Sequence, residues 1–249
     1  MVYKYVFKKV FKYSGITQTM QVVILCGGKG TRLNEYTDEI PKPLVEIGNK
    51  PILHHLMGMY AAAGHKDFIL CLGYKGDKIK ECFNGNKEFN IEFADTGEDA
   101  NKAERLMKVK GKIKNSNFLL SYGDDLSDVD INKVIEFHKK NNKIVTLTAV
   151  PLISPFGIME INESREVTSF KEKPILKELM NGGFYVMEKE IFNHIKPGYD
   201  LEKETFEDLA KAGQITAFKH NGFWKSMNTL KDVIELNEMF EKGDTPWIK

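Results

Sequence analysis

The residues of this chain best equipped for chemistry are a glycine-rich loop, a proline-flanked lysine and a run of carboxylates. Gly27-Gly28-Lys29-Gly30-Thr31-Arg32-Leu33 follows an apolar stretch from Gln21 to Cys26. Glycines let the backbone approach a ligand closely, and successive N–H groups then form an anion-binding concavity. The Arg32 guanidinium adds a fork that matches phosphate oxygens two at a time. The spacing is not the dinucleotide fingerprint, because Leu33 stands where its last glycine would be, and it is not a GxxxxGK[ST] loop. Further on, Pro41-Lys42-Pro43 holds a cation in a stiffened turn, so less entropy is lost in fixing it. Tyr122-Gly123-Asp124-Asp125-Leu126-Ser127-Asp128 gathers carboxylates that suit Mg²⁺, a hard cation that shares its shell with substrate phosphates, with Asp124 the first candidate ligand. Lys173 offers a second cation, and the Asn181 amide can bind hydroxyls. No GxSxG elbow, HExxH or metal-spaced His/Cys set occurs among the six histidines, so acyl transfer and zinc hydrolysis have no support. Phosphoryl and nucleotidyl transfer need little beyond cations, backbone N–H groups and a metal-binding carboxylate, since catalysis there is positioning and charge neutralisation.

Composition narrows the setting. The chain has 249 residues, with 36 Lys+Arg against 35 Asp+Glu, so it lacks the basic excess of a nucleic-acid binder, and any anion must be held by a local site. Three cysteines, widely spaced and never CxxC, argue against a disulfide framework or zinc ribbon and fit a reducing cytoplasm. The longest stretch without a charged side chain, Ile144 to Met159, carries Pro151 and Pro155 and is shorter than the roughly 20 apolar residues of a membrane span. Residues 1–19, with Lys4, Lys8, Lys9 and Lys12 among Val, Tyr and Phe, read as a leader or disordered extension ahead of a single domain over 20–249.

The elements that must position these residues alternate strand, loop and helix. Buried strands are expected at Gln21 to Cys26, Phe68 to Leu72, Ile91 to Ala94, Phe118 to Tyr122 and Ile144 to Val150, as short apolar runs stopped by turn residues. Asn49 followed by Pro51 reads as a helix start, with Pro at the first helical position and the helix running to Gly64; others run through Ile79 and Phe83 and over Asp130 to Lys140. This order predicts an α/β fold, a mostly parallel central sheet flanked by helices, with ligands at the carboxyl ends of the strands. After Pro151, shorter strands (Phe156 to Ile161, Val167 to Phe170, Gly183 to Val186, Thr216 to Lys219) predict a mixed C-terminal part that closes over a substrate.

In this order, GGKGTRL, PKPL, GDD, EKP and NGG resemble the sugar-1-phosphate nucleotidyltransferases across nearly all of Met20 to Lys249. The likeness is greatest to the branch that joins cytidine triphosphate to glucose 1-phosphate, through PKPLVEIGNKPILHH, YGDDLSDVDI, MNGGFYV and GFWKSMNTLKD. The resemblance implies a Rossmann-like nucleotidyltransferase fold and attack by a sugar phosphate on the α-phosphorus of a nucleoside triphosphate, CTP by preference. It implies Gly27, Gly28, Gly30 and Thr31 at the nucleotide, Arg32 on its phosphates, Lys42 at the transferring phosphate and Asp124 on Mg²⁺. Gly157, Glu172, Lys173 and Asn181 would hold the sugar phosphate, and homo-oligomers would be usual. One departure stands out: the family's second metal-binding aspartate is replaced by Asn228, which offers a carbonyl oxygen without the charge. The family's GRLKRV stretch also becomes Glu104-Arg105-Leu106-Met107-Lys108-Val109. Another triphosphate, another phosphorylated sugar or polyol, or a non-catalytic nucleotide-sugar binder therefore stay open.

Overall fold

The structure, a computed structural model, describes residues 19–30, 33 and 39–248; the expected leader lies outside them except for Thr19. In chain order the elements are β1 (Gln21–Leu25), β2 (Glu46–Ile47), β3 (Lys50–Pro51), α1 (Ile52–Ala62), β4 (Asp67–Leu72), α2 (Gly76–Phe83), β5 (Asn90–Asp95), α3 (Lys102–Lys108), β6 (Asn117–Tyr122) and β7 (Asp125–Ser127). There follow α4 (Ile131–Asn141), β8 (Val145–Ile153), β9 (Ile158–Ile161), β10 (Val167–Lys171), β11 (Ile175–Asn181), β12 (Tyr185–Glu188), α5 (Phe206–Lys211), β13 (Ile215–Lys219), β14 (Trp224–Ser226) and α6 (Leu230–Glu241).

β1 lies in the middle of an eight-stranded sheet, parallel to β4 on one side and to β6 on the other, with β5 parallel beyond β4. All five residues of β1 are buried, which is why the run reads as continuously apolar. Val22 and Ile24 enter one core with α1, α2, α4 and α6, whereas Val23 and Leu25 enter the opposite core with α3 and α5. Beyond β6 the sheet is mixed. β12 runs antiparallel to β6 and β8, β11 continues antiparallel along β8, and β13 closes the far edge parallel to β8. Mostly parallel pairing with helices on both faces is the architecture expected.

Two local expectations change. Pro51 is the N-cap of α1, with β3 ending on it, and the helix closes at Ala62, because the short β2–β3 pair draws the chain into extended backbone first. Gly183 and Phe184 are not in a strand: both have positive φ, 71° and 48°. Gly182 N–H donates to Thr148 O and Thr148 N–H to Gly183 O, so the chain kinks between β11 and β12 while keeping its grip on β8. The Asp130 side chain caps α4, accepting from Lys133 N–H at 3.2 Å. Among the described residues no helix is long and apolar enough to cross a membrane.

Three histidines are sealed inside. His55, His65 and His138 are 7%, 1% and 2% exposed, and for each burial is the chief cause holding the imidazole below its ordinary value. The folded chain thus resists protons that the unfolded chain accepts below about pH 6.5. The thermal midpoint should therefore be level above neutrality and fall as pH drops from about 6.5 toward 5. A midpoint that does not move over that window would contradict this burial effect.

Candidate active site

The sheet order reverses between β1 and β6: from β1 the chain moves outward to β4 and β5, then returns to β6 on the other side. Crevices at such switch points, outside the carboxyl ends of the strands, are where open α/β sheets bind ligands. Here the crevice is a cavity of about 660 Å³ lined by Gly27, Gly28, Lys42, Asp124, Asn181 and Asn228 among others.

Three elements bring the central cluster together. Pro41 and Pro43 fix Lys42 in a single 3-10 turn over Lys42–Leu44, with its side chain 12% exposed. β7 leaves Asp124 directly and pairs antiparallel with β14, setting Ser226 opposite Asp125. Met227 N–H then donates to Asp124 O at 3.0 Å, which brings Asn228 alongside. The Lys42 ammonium pairs with the Asp124 carboxylate and donates to Asn228 Oδ1 at 3.1 Å, a contact between residues 186 apart in sequence. Asn228 Nδ2 donates to Ser226 Oγ at 2.9 Å, which fixes the amide with its oxygen toward Lys42. Asp232 accepts from Asn228 N–H and Thr229 N–H and so ties this segment to the start of α6.

The glycine loop is shaped from below by a residue that its motif does not contain. Arg105, on α3 and 4% exposed, donates to the Gly27, Leu72, Gly97 and Glu98 carbonyls and to Thr96 Oγ1 at 2.8–3.2 Å. A Cβ on Gly27 would lie 2.0 Å from Arg105 Nη1, and one on Gly73 2.4 Å. Gly27 is thus required by the guanidinium beneath it and by the Gly73 backbone N, 2.9 Å from the same Cβ. Among the described residues nothing lies within 4 Å of a Cβ built on Gly28, and Gly30 turns the chain with φ 64°. Lys108, in the same altered stretch, donates to Thr96 O at 2.7 Å. Thr31 and Arg32 lie outside the described residues.

Across the cavity, Asn181 at the end of β11 donates to Tyr185 Oη at 2.6 Å and to Glu202 Oε1 at 3.3 Å. Tyr122, the last residue of β6, donates its hydroxyl to Glu202 Oε1 at 2.5 Å. Lys102 pairs with the other oxygen of Glu202. Burial, followed by the neighbouring Tyr185 and Glu202, pushes the Tyr122 phenol well above its ordinary value, so it stays a donor. Gly157, Glu172 and Lys173 do not line this cavity. They belong to the β9–β10 hairpin and its exit, where Gly157 packs on Phe170 and Glu172 and Lys173 takes a positive φ of 45°. Lys102 and Glu202 lie in no motif, and Tyr122 and Arg105 lie in the Tyr122–Asp128 run and the altered GRLKRV stretch without a role that their position there assigns.

The donors suit a hard divalent cation in one respect: Asp124 gives a carboxylate and Asn228 an amide oxygen on the same side of Lys42. Mg²⁺ commonly takes one or two protein ligands and completes its shell with phosphates and water. Among the described residues no group of three or more His, Cys, Asp or Glu could hold a metal. Asp125 does not extend the set. It is 3% exposed, and burial, followed by the Asp124 charge, pushes its carboxyl well above the usual range, so it favours the neutral form. Residues Asp124 and Asn228 thus fit a cation that arrives with phosphate ligands of its own.

The family model described as Nucleotidyl transferase matches residues 21–243. Glucose-1-phosphate cytidylyltransferase of Salmonella typhi is 41% identical over 254 residues, covering 92% of this chain and 98% of that protein. A mannose-1-phosphate guanylyltransferase of Mycobacterium tuberculosis (strain ATCC 25618 / H37Rv) is 30% identical over 241 residues, covering 92% of this chain and 67% of that one. The crystal structure of HddC from Yersinia pseudotuberculosis superposes with a TM-score of 0.72 at 26% identity, covering 89% of this chain and 100% of that one. With the switch-point cavity, the glycine loop after β1 and a match that spans the chain from its first strand to its last helix, this chain belongs to the nucleotidyltransferase family.

Proposed function

We propose that the chain transfers CMP from CTP to glucose 1-phosphate, giving CDP-glucose and pyrophosphate. The observation that carries this reading is the cluster of Lys42, Asp124 and Asn228 facing Asn181 and Glu202 across one cavity, in a chain 41% identical to a named glucose-1-phosphate cytidylyltransferase. A sugar phosphate oxygen attacks the α-phosphorus; its new P–O bond forms as the bond to the bridging oxygen breaks, and pyrophosphate leaves with that electron pair. A phosphate monoester ionises a second time near pH 6, so the nucleophile needs no base, and among the described residues lining the cavity there is no histidine. Lys42, already held in place, offsets charge as it moves to the bridging oxygen, without reorganising at the moment of reaction. Gly27, Gly28, Gly30, Thr31 and Arg32 hold the nucleotide in this reading, and Asn181 the sugar phosphate. Gly157, Glu172 and Lys173 stay candidates for the sugar phosphate from the hairpin side. Asp124 and Asn228 would hold Mg²⁺, which when bound neutralises phosphate charge. The test is a matrix of the four ribonucleoside triphosphates against hexose 1-phosphates, read by pyrophosphate release. The CTP and glucose 1-phosphate pair should give the highest kcat/KM by at least about tenfold, and a higher value for any other pair replaces this assignment.

Asn228 favours a second reading, a nucleotide-sugar binder without turnover. The two separate in Asn228→Asp. If the native chain is an enzyme, the added carboxylate should lower the Mg²⁺ concentration for half-maximal rate by about tenfold, while the native chain still turns over. Activity in the aspartate form alone would establish the binder.

The three cysteines are free, which supports a reducing cytoplasm, and we take residues 20–249 as one domain. Self-association is also proposed. In the β9–β10 register Val167 pairs with Ile161 and Phe170 with Met159, so all four share one face, yet each is 55–60% exposed. A two-stranded hairpin is marginal alone. Over β9 to β11 the charges are five glutamates against three lysines and one arginine, a near-balanced set that complements a second copy better than a polyanion or a membrane. Light scattering should give a multiple of 28.5 kDa, reduced to the monomer by Phe170→Glu; a monomeric native chain removes the proposal.

A further inference from the structure

The cavity contains a carboxylate that the transfer chemistry does not use. Glu202 sits in a π-helical turn, Leu201–Thr205, of a kind frequent at functional sites. Asp200 holds that turn, accepting from Glu202 N–H at 3.0 Å and Lys203 N–H at 3.4 Å, and Leu201 and Thr205 anchor it at 0% exposure. Its carboxylate is met from four elements: the Tyr122 hydroxyl from β6, the Asn181 amide from β11, the Tyr185 hydroxyl from β12 and the Lys102 ammonium from the first turn of α3. The side chain remains 33% exposed, on the cavity side.

An anion in a cavity built for two anionic reactants opposes their phosphates. Of the two reactants it suits only a neutral part that donates hydrogen bonds, because an ionised carboxylate can only accept. Bonds from hydroxyls to a carboxylate are short and strong, and Tyr122 and Asn181 fix the direction in which this one accepts.

We propose that Glu202 is a specificity-determining residue that reads hydroxyls of the sugar ring, with Lys102 as its counter-ion when no sugar is bound. This rests on the reading of the site as binding a sugar phosphate. Two or more vicinal hydroxyls would replace Lys102 at Oε2, and Lys102, a mobile point charge, would turn toward the phosphates. The inference selects against sugar phosphates that lack those hydroxyls.

The experiment uses the full chain with glucose 1-phosphate and its 2-, 3-, 4- and 6-deoxy analogues, beside Glu202→Gln and Glu202→Asp. The native chain should disfavour at least one deoxy analogue by about 30-fold in kcat/KM, the range for a hydrogen bond to a charged group. Glu202→Gln should lose a similar factor on glucose 1-phosphate and discriminate against that analogue by less than about threefold. Glu202→Asp, which keeps the charge but withdraws it by a methylene, should behave alike, so the result stands if one variant fails to fold. CTP affinity by calorimetry should change by less than about twofold, since a merely structural defect would move both substrates together. A variant that keeps native discrimination overturns the inference alone. A native chain that turns over no sugar phosphate overturns the transferase reading and this inference with it.

Discussion

Lys42→Met should lower kcat about 10³-fold, while the KM for triphosphate rises by less than about tenfold. The side chain is only 12% exposed and already paired with Asp124, with Asn228 as its second acceptor, so its charge is in place before substrate arrives. Loss of one such preorganised donor costs 10² to 10³ in other enzymes, and phosphoryl transfer depends on cations more than most reactions do. Methionine also leaves Asp124 as an uncompensated, largely buried carboxylate facing the triphosphate, which adds repulsion to the lost stabilisation. Lys42→Arg should not restore the rate: the 3-10 turn places a compact ammonium between two oxygens, and a planar fork of different reach does not fit that gap. Because Lys42 and Asp124 act as a unit, Lys42→Met/Asp124→Asn should be little slower than the poorer single variant. Steady-state pyrophosphate release measures all of these, and a kcat within tenfold of native for Lys42→Met would remove this lysine from the mechanism.

How much of this was legible in sequence depends on which contacts are local. β1, β4 and β6 read clearly because parallel strands buried on both faces are continuous apolar runs, each stopped by a turn. The α4 face of Ile131, Val134, Ile135 and His138 is buried as its 3.6-residue period predicts. The glycine loop and Asp124 were legible as segments, since strand ends at a switch point collect ligands. The meeting of Lys42 with Asn228 was not a matter of spacing, because it depends on β7 and β14 pairing across the intervening residues 128–223. Glu202 gave no signal: LEKET has neither motif nor period, and its meaning arises only where Tyr122, Asn181 and Lys102 converge. The alternation in β9 and β10 did predict strands, but an apolar face does not state what covers it, so the exposure of Phe170 could not be foreseen.

Arg105→Met should destabilise the fold by about 4 kcal/mol and lower the thermal midpoint by roughly 8–16 °C. The sequence marks the arginine only as part of an altered family stretch, yet it lies where three strand ends meet. Its partners are the Gly27 carbonyl after β1, the Leu72 carbonyl at the end of β4 and the Thr96–Glu98 turn after β5. Burial is the main cause lowering its pKa, and the carbonyl dipoles around it hold the guanidinium in its charged form. Methionine fills much of the stem's volume but donates nothing, leaving buried acceptors that cost about 1–3 kcal/mol each before water relieves some of them. Arg105→Lys should recover about half of the loss, because an ammonium has three donors and cannot span the same set of oxygens. The reciprocal change makes the cause specific: Gly27→Ala would drive a methyl into the guanidinium and to 2.9 Å from Gly73 N and should destabilise the native chain, but cost less in the Arg105→Met background, where only the backbone contact remains. Equal costs in the two backgrounds would mean that Gly27 answers to the Gly73 backbone N, 2.9 Å from the same Cβ, rather than to Arg105. Denaturant unfolding of the four chains measures that coupling, and a midpoint for Arg105→Met within about 3 °C of native would show that the strand ends hold the glycine loop without the guanidinium.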